Sequence, residues 1–70
     1  MKISARNSFS GTVTAVKVGP VSAEITVNIA PGIDVVSVIS ASSAQSLGLA
    51  VGKPAFAVIK ASSVMIGVDH

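Results

Sequence analysis

Three short segments of this 70-residue chain carry groups that could meet a small anion. They are Ser4-Ala5-Arg6-Asn7, Ser40-Ala41-Ser42-Ser43 and Lys60-Ala61-Ser62-Ser63. A compact oxyanion is held by converging neutral donors with limited positive charge. Serine hydroxyls, backbone N–H groups and helix starts supply the donors, and Arg or Lys supplies the charge. Ala5, Ala41 and Ala61 are small enough for an anion to approach the backbone. Each segment also has a plainer reading. Ser42 fits a helix cap, Ser62-Ser63 a turn, Arg6 an ordinary surface charge, and Lys60 the guard of a strand edge.

Other chemistries lack material. Serine is the only abundant nucleophile, with eleven copies, while the single histidine is His70 at the chain end. A terminal residue is a poor base for an ordered triad. No paired-carboxylate, Walker or zinc spacing occurs, and cysteine is absent. The expectation is therefore a protein that is not an enzyme, with no side chain ligating a metal directly and no organic cofactor. The net charge is +2, and Lys2, Arg6, Lys17, Lys53 and Lys60 form no run. Phe9 and Phe56 are the only aromatics. A nucleic-acid binder shows a basic stripe and, for single strands, stacking aromatics, so no nucleic-acid partner is expected. Residues 1–7 contain no apolar signal core. The longest uncharged run, between Asp34 and Lys53, holds five serines, Gln45 and two glycines, which do not suit a bilayer span. A soluble cytoplasmic protein without a membrane partner is expected.

The groups above need elements to position them. Residues 8–18 read as a strand in which Phe9, Val13 and Ala15 share one parity, and the phase then slips at Val16 and Val18. Such a slip predicts a β-bulge or sharp bend. After the Gly19-Pro20 turn, residues 21–29 alternate cleanly, with Val21, Ala23, Ile25, Val27 and Ile29 facing a core. Pro31-Gly32 precedes a third strand over 33–40 whose two faces are both apolar, one for the core and one for a neighbouring subunit. Ser42 and Gln45 make a capping-box pattern for a short helix over 43–47 that ends at Gly48. Leu47 and Leu49 would plug the barrel end. Two more strands follow, over 55–60 and 63–68. This order predicts an all-β, OB-like five-stranded Greek-key barrel with one short helix between strands 3 and 4. An SH3-like barrel is the structural alternative. One domain spans residues 1–70. A chain that is half apolar and only 11% charged, with no disulfide, is expected to bury surface between copies.

Ile3-Ser4-Ala5-Arg6-Asn7 resembles the "ISARN" opening of the molbindins, the small molybdate-binding Mop proteins. Ser10-Gly11-Thr12-Val13 resembles the first strand of that family. Val35-Val36-Ser37-Val38-Ile39-Ser40 followed by Ser43 resembles its "TSIIS…S" stretch, and residues 57–65 resemble its "AVIKAS.VM" ending. The resemblance covers nearly the whole chain. It implies a hexamer built as a trimer of dimers, with molybdate or tungstate held at subunit interfaces. It implies that Ser4 and Ser62 donate hydroxyl bonds, that Arg6 and Lys60 balance the dianion, and that backbone donors near Ala5, Ser43 and Ala61 assist. A second site type would draw on Val21, Ser22, Ala23 and Ser42. The chain departs from its relatives at Ser8-Phe9, where Gln-Leu is frequent, and at Pro20 and Pro31, where glycine is common.

The function implied is intracellular molybdate storage without turnover. Two alternatives of other classes stand beside it. One is an OB-like nucleic-acid-binding accessory module. The other is an oligomerisation module without a ligand.

Overall fold

A computed structural model describes residues 2–69 of the chain. Strand β1 spans Asn7–Val18, β2 Ser22–Ala30 and β3 Ile33–Ser40; helix α1 spans Ala41–Ser46 and strand β4 Pro54–Ile59. A one-turn 3₁₀ segment, Ala61–Ser63, follows. All pairings are antiparallel, in the spatial order β3-β2-β1-β4. Three consecutive hairpin-linked strands with the fourth returning beside the first make a Greek key.

The long first strand makes the sheet curl. Residues Asn7–Thr12 pair with β4, and Thr12–Val18 pair with β2, so β1 changes neighbours at Thr12. Immediately beyond, the register shifts between Val13 and Ala15. The bulge therefore sits at Thr14, just before the phase slip visible in the sequence. An extra residue there lets Val13 and Val16, an odd number apart, both reach the core. Gly11 lies at the same bend. A Cβ on it would overlap the Asn28 carbonyl, so the close approach of β2 to β1 requires glycine.

The core is small. Val13, Ala23, Ile25, Val27 and Ala44 form it, with Val16, Ile29, Ile39, Leu49 and Ala55 packed against it. Ala23, Ile25 and Val27 follow the expected alternation of β2. Val21 does not. It precedes the strand, in the bend after Pro20, and is 79% exposed. On β3, Val35 and Ile39 turn inward while Val36 and Val38 stay exposed, so no described residue covers the outer face.

Three expectations are corrected. The helix begins two residues earlier than 43, and its cap is Ser40 rather than Ser42. Ser40 ends β3 in extended geometry, its Oγ accepts from the Ser43 N–H at 3.0 Å, and the Ala41 N–H donates to the Val21 carbonyl at 2.9 Å. That tertiary bond fixes where the strand becomes a helix. The end lies where the glycine places it. Gly48, at φ 64°, donates to the Gln45 carbonyl and Leu49 to that of Ala44, the paired bonds of a Schellman stop. Leu49 packs on the core, but Leu47 is 69% exposed and plugs nothing within the chain. Finally, residues 63–68 form no strand. Among the described residues there are four strands, and residues 64–69 run on without a sheet partner. Alternation gives such a segment strand character, but a strand also needs a neighbouring edge.

Candidate functional site

The antiparallel register of β1 and β4 brings the two ends of the sequence together. Asn7 lies opposite Ile59, and the Asn7 side-chain amide donates to the Ile59 carbonyl at 3.3 Å. The residue before Asn7 is Arg6, and the residue after Ile59 is Lys60. Pairing at the last rung therefore sets both cations at one mouth. Beyond Lys60 the chain tightens, with the Ser63 N–H donating to the Lys60 carbonyl at 2.8 Å and the Val64 N–H to that of Ala61 at 3.3 Å. This turn keeps Ala61 and Ser62 beside the incoming N-terminal segment, with which they line one hollow.

The result is an open hollow of about 490 Å³ lined by Ser4, Ala5, Arg6, Lys60, Ala61 and Ser62. All six are sequence-predicted site residues, drawn from segments more than fifty positions apart. No carboxylate among the described residues lines it. Of the three acids, Glu24 opposes Lys17 across β1 and β2, Asp34 accepts from the Asn28 side chain at 2.9 Å, and Asp69 lies in the segment after the 3₁₀ turn, outside the lining. The Ala61 and Ser62 N–H groups, at the opening of the 3₁₀ turn, carry no backbone hydrogen bond among the described residues. The hollow thus presents two cations, two hydroxyls and free amides, all able to face one negative guest.

The remaining predicted residues gather at the far end of β1. Ser22 opposes Ser40 in the β2–β3 ladder, and Val21 receives the Ala41 bond described above. The Ser40 hydroxyl donates to the Ser43 Oγ at 2.7 Å and lies 3.2 Å from the Ser42 Oγ. Here the donors are turned on one another, since the Ser43 amide and the Ser40 hydroxyl are already engaged. Ala23 is buried in the core, so its methyl cannot meet a ligand. Within one chain, Ser42 and Ser43 do not join the Arg6–Lys60 hollow.

Two positions matter that the candidate set lacks. Asn7 clamps the rung that aligns Arg6 with Lys60, and Ser40 organises the hydroxyl cluster. The signal for Asn7 was its place at the end of the Ser4-Ala5-Arg6-Asn7 segment. Ser40 was visible as the first of three closely spaced serines.

This arrangement can be set beside known proteins. The family profile of the TOBE domain matches residues 3–66. The chain belongs to the TOBE domain family. Within it, relatives of the Mop type share the full length. The probable molybdenum-pterin-binding protein of Haemophilus influenzae is 45% identical over 99% of this chain and 100% of its own. The molybdenum transport protein ModE of Azotobacter vinelandii is 46% identical over 99% of this chain, which spans only 26% of that longer protein. Among solved structures, MopII from Clostridium pasteurianum superposes with a TM-score of 0.90 at 42% identity, covering 96% of this chain and 100% of MopII. The cytoplasmic molybdate-binding protein ModG, solved with molybdate bound, gives a TM-score of 0.82 at 51% identity over 87% of this chain and 43% of ModG. This TOBE chain therefore has the OB-like Mop fold, as the resemblance implied. No helix among the described residues is long and apolar enough to cross a membrane.

Proposed function

We propose that this chain binds molybdate, and tungstate by the same chemistry, and serves as an intracellular store without turnover. The guest is a tetrahedral dianion taken up whole, so the metal has no protein ligand and no organic cofactor takes part. The observation that carries this reading is the convergence of Arg6, Lys60, Ser4 and Ser62 on one hollow that no acid lines. Arg6 and Lys60 supply the compensating charge. The Ser4 and Ser62 hydroxyls and the amides near Ala5 and Ala61 supply the neutral donors.

The same chemistry sets selectivity. A fully deprotonated oxyanion only accepts hydrogen bonds, whereas phosphate that keeps a proton also needs an acceptor. A hollow without a carboxylate disfavours it. Sulfate matches molybdate in charge and shape, so rejection of sulfate falls to cavity size.

The hollow is open on one side, and both cations are exposed. In the proposed assembly, a hexamer built as a trimer of dimers, a second copy covers that side, which excludes water and strengthens each charged contact. Residues 1–70 act there as one binding domain, in the cytoplasm, with no nucleic-acid or membrane partner. The cluster of Val21, Ser22, Ala23 and Ser42 would form the second site type only with groups from neighbouring copies, since the Ser42 hydroxyl lies against that of Ser40 and no cation stands beside it.

Equilibrium dialysis against molybdate, tungstate, sulfate and phosphate tests the proposal. Tight uptake of the first two with weak uptake of the others is expected. Equal, weak uptake of all four would end it.

A further inference from the structure

The Arg6–Lys60 hollow is built against a repulsion. The β1–β4 ladder ends at the pair Asn7–Ile59. Carrying that register one step further sets Arg6 opposite Lys60. Like charges directly opposite each other on antiparallel segments push those segments apart, and no carboxylate among the described residues of the hollow offsets them. The N-terminal segment does little to resist. Among the described residues, residues 2–6 make no hydrogen bond to the rest of the chain.

Asn7 stands at that boundary. It is the one polar side chain of β1 that is half-buried, whereas Ser8, Ser10, Thr12, Thr14 and Lys17 are exposed. Its carboxamide donates to the Ile59 carbonyl at 3.3 Å, across 52 positions of sequence. No other side-chain hydrogen bond among the described residues joins β1 to β4. An amide suits this place. It donates without carrying charge, so it neither adds to the repulsion nor neutralises the cations that a dianion needs. It also lies outside the lining of the hollow.

We propose that Asn7 is the positioning residue of the hollow: its carboxamide holds the Arg6 segment against the Lys60 turn, so that both charges face one guest. The proposal rests on the reading of the hollow as an oxyanion site. A dianion that bridges Ser4 and Arg6 on one side to Lys60 and Ser62 on the other replaces the repulsion with attraction across the same gap. Asn7 sets that geometry before the guest arrives. Affinity rises because less ordering of the segment is left to the binding step. Asn7 therefore acts on affinity through Arg6 and not through the guest.

A double-mutant cycle of the full chain, read by calorimetry with sodium molybdate, tests the proposal. Asn7→Ala is expected to bind about fivefold more weakly, the usual worth of one neutral hydrogen bond, while keeping the parent's mass in light scattering and its circular dichroism. In an Arg6→Ala background the same substitution is expected to change affinity by less than about twofold, because the side chain it positions is gone. No loss in the first background overturns the proposal. So does an equal loss in both, which is the outcome of a merely structural role. A second arm needs no anion. The ¹⁵N heteronuclear NOE of the Ala5 and Arg6 amides, measured without molybdate, is expected to fall in Asn7→Ala, and unchanged values overturn the proposal too. A parent chain that takes up no molybdate refutes the oxyanion reading instead, and the amide arm then decides the role of Asn7 by itself. Should Asn7→Ala not fold, Asn7→Ser carries both arms with the same outcomes.

Discussion

The two ends of β1 hold similar residues and use them in opposite ways. Both are rich in serine beside small side chains. At the far end, Ser40, Ser42 and Ser43 bond among themselves and to the first turn of α1, so their donors close a strand-to-helix corner. At the near end, Ser4 and Ser62 flank two cations that no acid among the described residues of the hollow neutralises, and the Ala61 and Ser62 amides carry no backbone hydrogen bond among those residues. Counting hydroxyls does not separate a cap from a binding site. What separates them is whether donors and charge are already spent.

Substitutions can break that contrast. The largest effect belongs to the cations. Removing one charged hydrogen bond costs about 1.5–3 kcal/mol, so Arg6→Ala or Lys60→Ala should weaken molybdate binding by about 10- to 100-fold in calorimetry. The two losses should not add, because both side chains serve one hollow. An unchanged affinity in both variants would move the site elsewhere. Next comes Ser62→Ala, which removes a neutral donor worth about 1 kcal/mol, or roughly fivefold in Kd. At the other end the readout changes from binding to stability. Ser40→Ala should cost about 1 kcal/mol in urea unfolding, the usual loss for a helix cap, and Ser42→Ala less than about 0.5 kcal/mol. If Ser42→Ala proved the costlier of the two, the cap would be misplaced. The smallest effect is ionic. Exposed cations are screened by salt, so molybdate affinity should fall with added sodium chloride, and less steeply in Lys60→Ala than in the parent.

Local patterning made much of the fold legible. β2 was readable because Ala23, Ile25 and Val27 alternate with Glu24 and Thr26 between two turn signals, Gly19-Pro20 and Pro31-Gly32. β3 was readable from its run of Val and Ile after Pro31-Gly32. The bulge was readable because apolar residues changed parity, though its place at Thr14 depends on the core reach of Val13 and Val16. The cap was not readable. Ser40-Ala41-Ser42-Ser43 offers two registers to a helix, and the contact from Ala41 to the Val21 carbonyl selects between them. The fifth strand failed for a related reason. Residues 64–68 have strand composition, but pairing is a property of two segments, and this chain supplies only one.

The site was legible in a different way. Arg6 and Lys60 lie far apart in sequence, and nothing in their local spacing joins them. Resemblance to the Mop proteins linked them, and the Asn7–Ile59 rung supplies the physical reason. The groups that cover the open side of the hollow belong to other copies in the proposed assembly, and a single chain's pattern carries no record of them.

The central claim is that the Arg6–Lys60 hollow holds the dianion. Its most direct test is a crystal of the full chain soaked in molybdate, with anomalous scattering measured at the molybdenum edge. A metal peak within hydrogen-bonding reach of Arg6, Lys60, Ser4 and Ser62 is predicted. Peaks confined to the Ser40–Ser43 corner, or no peak at all, would contradict it.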